Sequence, residues 1–307
     1  MARHFSDVML GSIELFCLAA ELESFTLAAN EAGLTPAAVS RAIARLEERL
    51  QVQLFVRSTR KIRLTEAGRS YFNHCRQALT QINDAERELG GAQAEPSGRV
   101  RISVPTTLGH YLVLPALADF RARHPRVQIE VQVSNRNVDF TQEDFDFSIR
   151  ARAPADSGLV AQRLIDAELV VVASAEYVRQ RGAPGTTTEL NEHECIQFLL
   201  PSTGLVVPWR FRAEGKELEI ATKGSVTYSD DFLGGATLAR HGAGLLQTYR
   251  FIVEEDIKRG TMVELLQEFG GCSRPFSLIY PGSRYMPLRV RLLMDFLKER
   301  IAKGANL

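Results

Sequence analysis

Apolar residues recur along this chain with two different periods, and the change from one to the other divides it. Up to Leu89 the spacing is helical. Ala28, Ala29 and Ala32 recur at helical spacing, and Gly33 permits a tight turn after them, because only glycine enters positive φ without penalty. Thr35 is placed to cap the next helix and Pro36 to open it, since the N–H that proline lacks is not needed there. Val39, Ile43, Leu46 and Leu50 step by four, three and four residues, which puts them on one buried stripe. Leu54–Arg57 and Ile62–Leu64 read as short strands joined by Ser58-Thr59-Arg60-Lys61. From Glu66 to Leu89 no proline interrupts, and Thr65 is the predicted N-cap. Tyr71, Cys75, Ala78, Ile82, Ala85 and Leu89 keep a heptad rhythm along those residues, a helix of about 36 Å.

Gly90 to Gly98 is rich in glycine and small residues and reads as a hinge-like linker. Beyond it, strand and helix patterns alternate. Val100, Ile102 and Val104 mark a strand, Leu112–Arg123 a helix ended by His124-Pro125, and Val127–Val133 a second strand. Further strands are predicted at 145–150, 159–164, 169–173, 195–199, 209–212, 225–228 and 276–280, with helices at 174–177, 230–240 and 287–303. Such alternation argues for an α/β domain with mixed or parallel sheets.

The formal net charge is zero, but the charge is segregated. Five acids and no Lys or Arg lie between Asp7 and Glu31, whereas seven bases face two acids between Arg41 and Arg63. On the 36–50 helix, Ala37, Arg41 and Ala44 point away from the apolar stripe, flanked by Ser40 and Arg45. Small residues at a helix start followed by arginines suit the major groove of DNA, where Arg41 places its planar fork on guanine or phosphate. An ordinary solvated basic face is the competing reading. The hairpin after the helix adds Arg60 and Lys61 on a turn able to lie along a phosphate backbone, like a wing. The heptad stripe of the 66–89 helix predicts pairing with a second copy, which presents two recognition helices; the alternative is packing on the chain's own next domain.

The run FTLAANEAGLTPAAVSRAIARLEERLQVQLFVRSTRKIRLTEAGRSYF resembles the winged helix-turn-helix of LysR-type transcriptional regulators. The resemblance implies DNA contact at Thr35, Pro36, Ala37, Ser40, Arg41 and Arg45, with Arg57, Thr59, Arg60 and Lys61 on the wing. The family often has Ser-Gln-Pro where this chain has Thr35-Pro36-Ala37, so a glutamine base reader is missing. The later residues resemble the family's two-lobed, periplasmic-binding-protein-like effector domain through Val104-Pro105-Thr106-Thr107, Phe145–Arg150 and Ala239–Gly244. The implied organisation is a winged helix-turn-helix at 1–65, a dimerisation helix and hinge at 66–97, and an effector domain at 98–307. Within the last, lobe I is expected at 98–172 and 275–307 and lobe II at 173–274. The family also implies tetramers built from dimers.

A cleft between such lobes is where a small-molecule effector is expected. Thr106 and Thr107 close a strand and open a helix, so hydroxyls and free N–H groups are expected to converge there on a carboxylate or similar anion. The resemblance adds Asn135, Gln197, Phe198, Ser229 and Thr248 at comparable rims; plain capping or turn duty is the alternative for each polar one. Arg150 and Arg152 are candidates to balance an anion, surface ion pairing being the other reading, and Trp209 is expected in the core. An α/β enzyme, or a ligand-binding protein with an accessory DNA-binding module, is the rival class. No Gly-x-Ser-x-Gly, His-Glu-x-x-His or phosphate-loop signature supports an enzyme. Gly242-Ala243-Gly244 lacks the third glycine of a dinucleotide loop, and His193-Glu194-Cys195 has no second cysteine nearby. Cys17, Cys75, Cys195 and Cys272 never form a CxxC pair, so reduced thiols and no zinc are expected. No cofactor is implied. The N-terminus lacks the apolar core of a signal peptide and no apolar run reaches the ~18 residues of a membrane span, so a cytoplasmic protein with no membrane partner is expected.

Overall fold

A computed structural model of the chain describes residues 10–57, 62–89, 95–151, 158–201, 203–282 and 286–304, the side chains of 57, 83–89, 303 and 304 excepted. It divides into two compact units, Met1–Ala94 with Asp139–Asp144, and Glu95–Val138 with Phe145–Leu307.

In the first unit, α1 (Leu10–Glu21) precedes α2 (Phe25–Glu31), which Ser24 caps through a hydroxyl that accepts from Leu27 N at 3.2 Å. Gly33 makes the turn at φ +66°. The next helix, α3 (Pro36–Leu50), starts as its sequence predicts: Thr35 Oγ1 accepts from Ala38 N at 3.2 Å, and Pro36 stands at the first position. Its stripe of Val39, Ile43 and Leu46 is fully buried, together with Ala42. Strands β1 (Phe55–Arg57) and β2 (Ile62–Leu64) pair antiparallel, and the predicted turn between them, 58–61, lies outside the described residues. α4 (Glu66–Leu89) follows, with the Thr65 hydroxyl accepting from Gly68 N at 2.9 Å. Phe16 is the hub of this core, with Phe55, Tyr71 and Phe72 rings at 5.4, 5.5 and 6.4 Å.

The second unit opens with β3 (Gly98–Val104) and a helix in three pieces. α5 (Thr106–Leu108), a π-helical turn at Gly109–Val113 and α6 (Leu114–Arg123) run on without a break, so the helix begins six residues before the predicted Leu112. β4 (Val127–Val133) and β5 (Phe147–Arg150) come next. The two strands predicted at 159–164 and 169–173 are one, β6 (Leu159–Ser174). Asp166 and Glu168 carry the charges that suggest a break, but each is ion-paired on the sheet, to Arg163 and Arg250. There follow α7 (Ala175–Arg181), β7 (Gln197–Leu200), β8 (Leu205–Val206), β9 (Trp209–Ala213), β10 (Lys216–Ile220) and β11 (Thr227–Ser229). α8 (Leu233–Arg240), β12 (Leu246–Tyr249), α9 (Arg250–Lys258), β13 (Met262–Leu265), β14 (Ser273–Pro281) and α10 (Leu288–Gly304) complete it. Asp230 at φ +63° keeps α8 from starting at the predicted position, and Asp231 Oδ1 accepts from Leu233 N at 3.0 Å.

The main sheet has the order β12-β6-β14-β5-β3-β4, with β13 also on β6. β3 is parallel to β4 and β5, while β14 is antiparallel to β5 and β6, so the sheet is mixed. β6 changes partners along its length: Leu159–Glu168 pairs with β14, and Leu169–Ser174 with β12 and β13. A 16-residue strand is thus shared between two patches of sheet. The larger apolar core gathers β3, β5, α6 and α10 residues, including Phe120, Phe147 and Leu293. A smaller one gathers Tyr177, Trp209, Phe211 and Leu245, which places Trp209 in a core as expected.

Candidate functional site

On α3 the stripe is packed and the opposite face is left to solvent. Thr35, Pro36, Ala37, Arg41, Ala44 and Arg45 are exposed and Ser40 is half-buried. Burial of Val39, Ala42, Ile43 and Leu46 fixes the helix roll, so small residues and two guanidinium groups are presented together. The Thr35 hydroxyl already serves as a cap. Arg57 ends β1, with its side chain outside the described residues; Thr59, Arg60 and Lys61 also lie outside them. One residue to which the sequence assigns no role is Glu47, whose Oε1 accepts from Leu54 N at 2.7 Å and Phe55 N at 3.1 Å. Only its place in Leu46-Glu47 beside the wing hinted at it.

The stripe of α4 is not a single free seam. Cys75 is buried in the first unit's core, and Tyr71 packs against that core beside Phe16. The heptad stripe is thus only partly available to a second copy: α1 and the wing cover its first turns, and Leu79 joins them. Burial, chiefly, pushes the Tyr71 hydroxyl up to about 12 and raises the Cys75 thiol. Further along, Ala78 is exposed and Ile82 is 42% exposed. Ala85 and Leu89 lie on the helix, with side chains outside the described residues.

In the second unit, the end of β4 meets the start of α5. Asn135 Oδ1 accepts from Thr106 N at 3.0 Å, and Asn135 Nδ2 donates to Thr106 Oγ1 at 3.1 Å and to the Asp230 carbonyl at 2.6 Å. Ser229, exposed, is next to Asp230 and donates to its carboxylate at 3.4 Å. Thr106, Asn135 and Ser229 are therefore brought to one place. The Thr106 N–H is not free, contrary to expectation, because the Asn135 amide oxygen occupies it. Thr107 is buried. Gln197 is also buried and donates to Thr222 Oγ1 at 2.8 Å; Phe198 stacks on Phe232 with ring centroids 4.0 Å apart, and Thr248 is buried in β12 opposite Val170.

One further expectation is corrected. Arg150 does not stand at the surface: it is buried, and its guanidinium donates to the Ser103, Arg136 and Ile149 carbonyls and to Ser103 Oγ. The sequence could not show that β5 is covered on both faces. Arg152 lies outside the described residues. A recess of about 200 Å³ sits elsewhere, lined by Glu168, Arg210, Phe211, Gln247, Arg250 and Glu264 among others. None of the seven expected effector residues lines it. Its charges are largely paired within the protein, Arg250 with both Glu168 and Glu264 and Arg210 with Glu217.

The reactive-looking His193-Glu194-Cys195 is occupied structurally. His193 Nδ1 meets Tyr177 Oη at 3.2 Å, and Glu194 accepts from Ser225 N and Oγ at 2.8 and 3.0 Å. Burial pushes the Cys195 thiol up to about 12, so little thiolate forms at neutral pH. Among the described residues, no group of three His, Cys, Asp or Glu could hold a metal ion, and no helix is long and apolar enough to cross a membrane.

Comparison with known proteins agrees with this arrangement. Residues 10–69 match the family described as bacterial regulatory helix-turn-helix protein, lysR family, and residues 93–302 match the LysR substrate binding domain. The chain is 32% identical over 297 residues to the HTH-type transcriptional regulator CrgA of Neisseria meningitidis serogroup B, covering 96% of this chain and 97% of that one. It is 30% identical over 297 residues to the probable HTH-type transcriptional regulator LtrA of Klebsiella pneumoniae, covering 95% of each. The solved structure of CrgA from Neisseria meningitidis superposes with a TM-score of 0.60 at 30% identity, covering 95% of this chain and 98% of that one.

Proposed function

This chain belongs to the LysR family and is a transcriptional regulator with an effector-binding domain, and we propose how its own residues divide that work. α3 enters the major groove with Pro36, Ala37 and Ser40 near base edges, Arg41 as the base reader and Thr35 and Arg45 at nearby phosphates. Arg57, Thr59, Arg60 and Lys61 form the wing's phosphate contacts. The observation that carries this reading is the exposed Ala37–Arg41–Arg45 face on a helix whose other side is locked in a core. In this reading residues 1–65 are the DNA-binding domain, 66–97 the pairing helix and hinge, and 98–307 the effector domain in two lobes.

Family members bind promoter DNA and small-molecule effectors and assemble as oligomers. For this chain, the pairing surface is the part of α4 that outruns its own core, from Ala78 through Ile82 to Ala85 and Leu89, giving a dimer and, by dimer pairing, a tetramer. The effector site is placed at Thr106, Asn135 and Ser229. A ligand carboxylate offers the same acceptor as the Asn135 amide oxygen and can take its place on the Thr106 N–H. The role is regulatory, not catalytic, and cytoplasmic.

The test is a mobility shift against a library of genomic fragments, with light scattering of the same sample. Selective retention of some fragments by a dimer or tetramer supports the reading; uniform retention by a monomer overturns it. Thermal shift against small carboxylates tests the effector arm, since a ligand of the native state raises apparent stability.

A further inference from the structure

Between α3 and α4 stands one residue that both helices hold. Leu54 is 1% exposed and Phe55 2%, and their N–H groups both donate to Glu47 Oε1 on α3, at 2.7 and 3.1 Å. On its other side the Leu54 carbonyl accepts from Thr65 N at 2.9 Å, and the Thr65 hydroxyl donates to the Gln53 carbonyl at 2.8 Å while accepting from Gly68 N at 2.9 Å. α4 approaches so closely that a β-carbon at Gly68 would stand 2.0 Å from the Leu54 oxygen. Between its two peptide faces, therefore, Leu54 has no freedom to tilt. A carboxylate that accepts two N–H groups is a strong tie, and without it both donors would be buried and unsatisfied.

We infer that Glu47 is a positioning residue for DNA recognition. It locks the first peptide of the wing onto the recognition helix, while Thr65 and Gly68 lock the same residue onto the start of α4. Groove reader, wing and pairing helix then turn as one body. Glu47 acts through Leu54 and Phe55, and its removal frees the wing from the register in which its cations reach phosphates. The inference rests on α3 being the groove helix and 58–61 the backbone-contacting turn.

The full chain, E47A, E47Q and R41A are titrated by fluorescence anisotropy at a series of salt concentrations. The probes are a random-sequence duplex and a duplex selected by the parent from a random pool. E47A is expected to bind both more weakly and with a shallower log–log salt slope, reduced by about 0.9 for each phosphate that the wing no longer reaches. E47Q keeps an acceptor oxygen for the two N–H groups and is expected to retain the parental slope. A folded E47A with the parental slope overturns the inference, and so does an E47Q that loses slope as fully as E47A. Where circular dichroism shows E47A unfolded, T65V, which loosens the other face of Leu54, is measured instead: a shallower slope supports the inference and an unchanged one overturns it. R41A tests the premise separately. If it prefers the selected duplex as the parent does, the placement of α3 fails, whatever Glu47 does.

Discussion

Asn135 and Asp230, ninety-five residues apart, are joined by a 2.6 Å hydrogen bond from the Asn135 side-chain amide to the Asp230 main-chain carbonyl. The same side chain caps Thr106, so one amide ties the end of β4 to α5 and to the turn before α8. Asn135→Ala removes all of these bonds at a half-buried position. A loss of about 1–2 kcal/mol is expected, read as a lower urea midpoint with an unchanged m-value. Because the Thr106 N–H then has no amide competitor, stabilisation by carboxylates should strengthen in the same variant.

Gly68→Ala places its new methyl 2.0 Å from the Leu54 carbonyl oxygen and 2.8 Å from its carbon. Backbone cannot rotate aside as a side chain can, so either α4 or the wing must shift. The expected cost is about 3 kcal/mol or more, seen as a fall in the melting temperature of the DNA-binding unit.

Arg41→Ala should weaken binding to a selected operator by roughly 1–3 kcal/mol and relax discrimination at one base pair. Lys61→Ala should weaken all duplexes alike and lower the salt slope by about 0.9. Competition binding against single-base operator variants distinguishes the two.

Arg150→Met keeps the apolar stem but strips the donors from the Ser103, Arg136 and Ile149 carbonyls and from Ser103 Oγ. Because Ser103 and Ile149 are buried, their acceptors lose a partner without gaining water. Destabilisation of about 3 kcal/mol is expected in guanidinium unfolding of the effector domain.

Burial raises all four thiols, Cys17 and Cys195 to about 12 and Cys75 and Cys272 in the same direction. The folded state then holds these protons more tightly than the unfolded state does. Stability from this source is intact below about pH 9 and declines as pH rises toward 12. The denaturation midpoint should fall across that window, less so in Cys17→Ala. At pH 8 a thiol reagent should label the native chain slowly and the unfolded chain at four sites.

Much of the DNA-binding half can be read directly from residues. Thr35 and Thr65 are local caps, and Val39, Ile43 and Leu46 a local stripe, so each acts within a few residues of itself. The full length of α4 is legible for the same reason. In the second half, many strand positions were legible, but β8, β10, β12 and β13 were not predicted, and neither was the continuity of β6. Whether Asp166 and Glu168 break β6 depends on Arg163 and Arg250, and the latter is distant in sequence.

Periodicity and capping are near-neighbour effects, so the chain's own letters specify α3, α4 and α10, the outward face of α3 and the alternation of the effector domain. Which side of a helix meets which core is a long-range matter. Only the assembled structure placed Tyr71 and Cys75 against Phe16, buried Arg150, put Asn135 on the Thr106 N–H, and set Glu47 under Leu54. Each depends on packing between segments that no local pattern relates, because burial and hydrogen-bond partnership are decided by what the rest of the chain brings alongside.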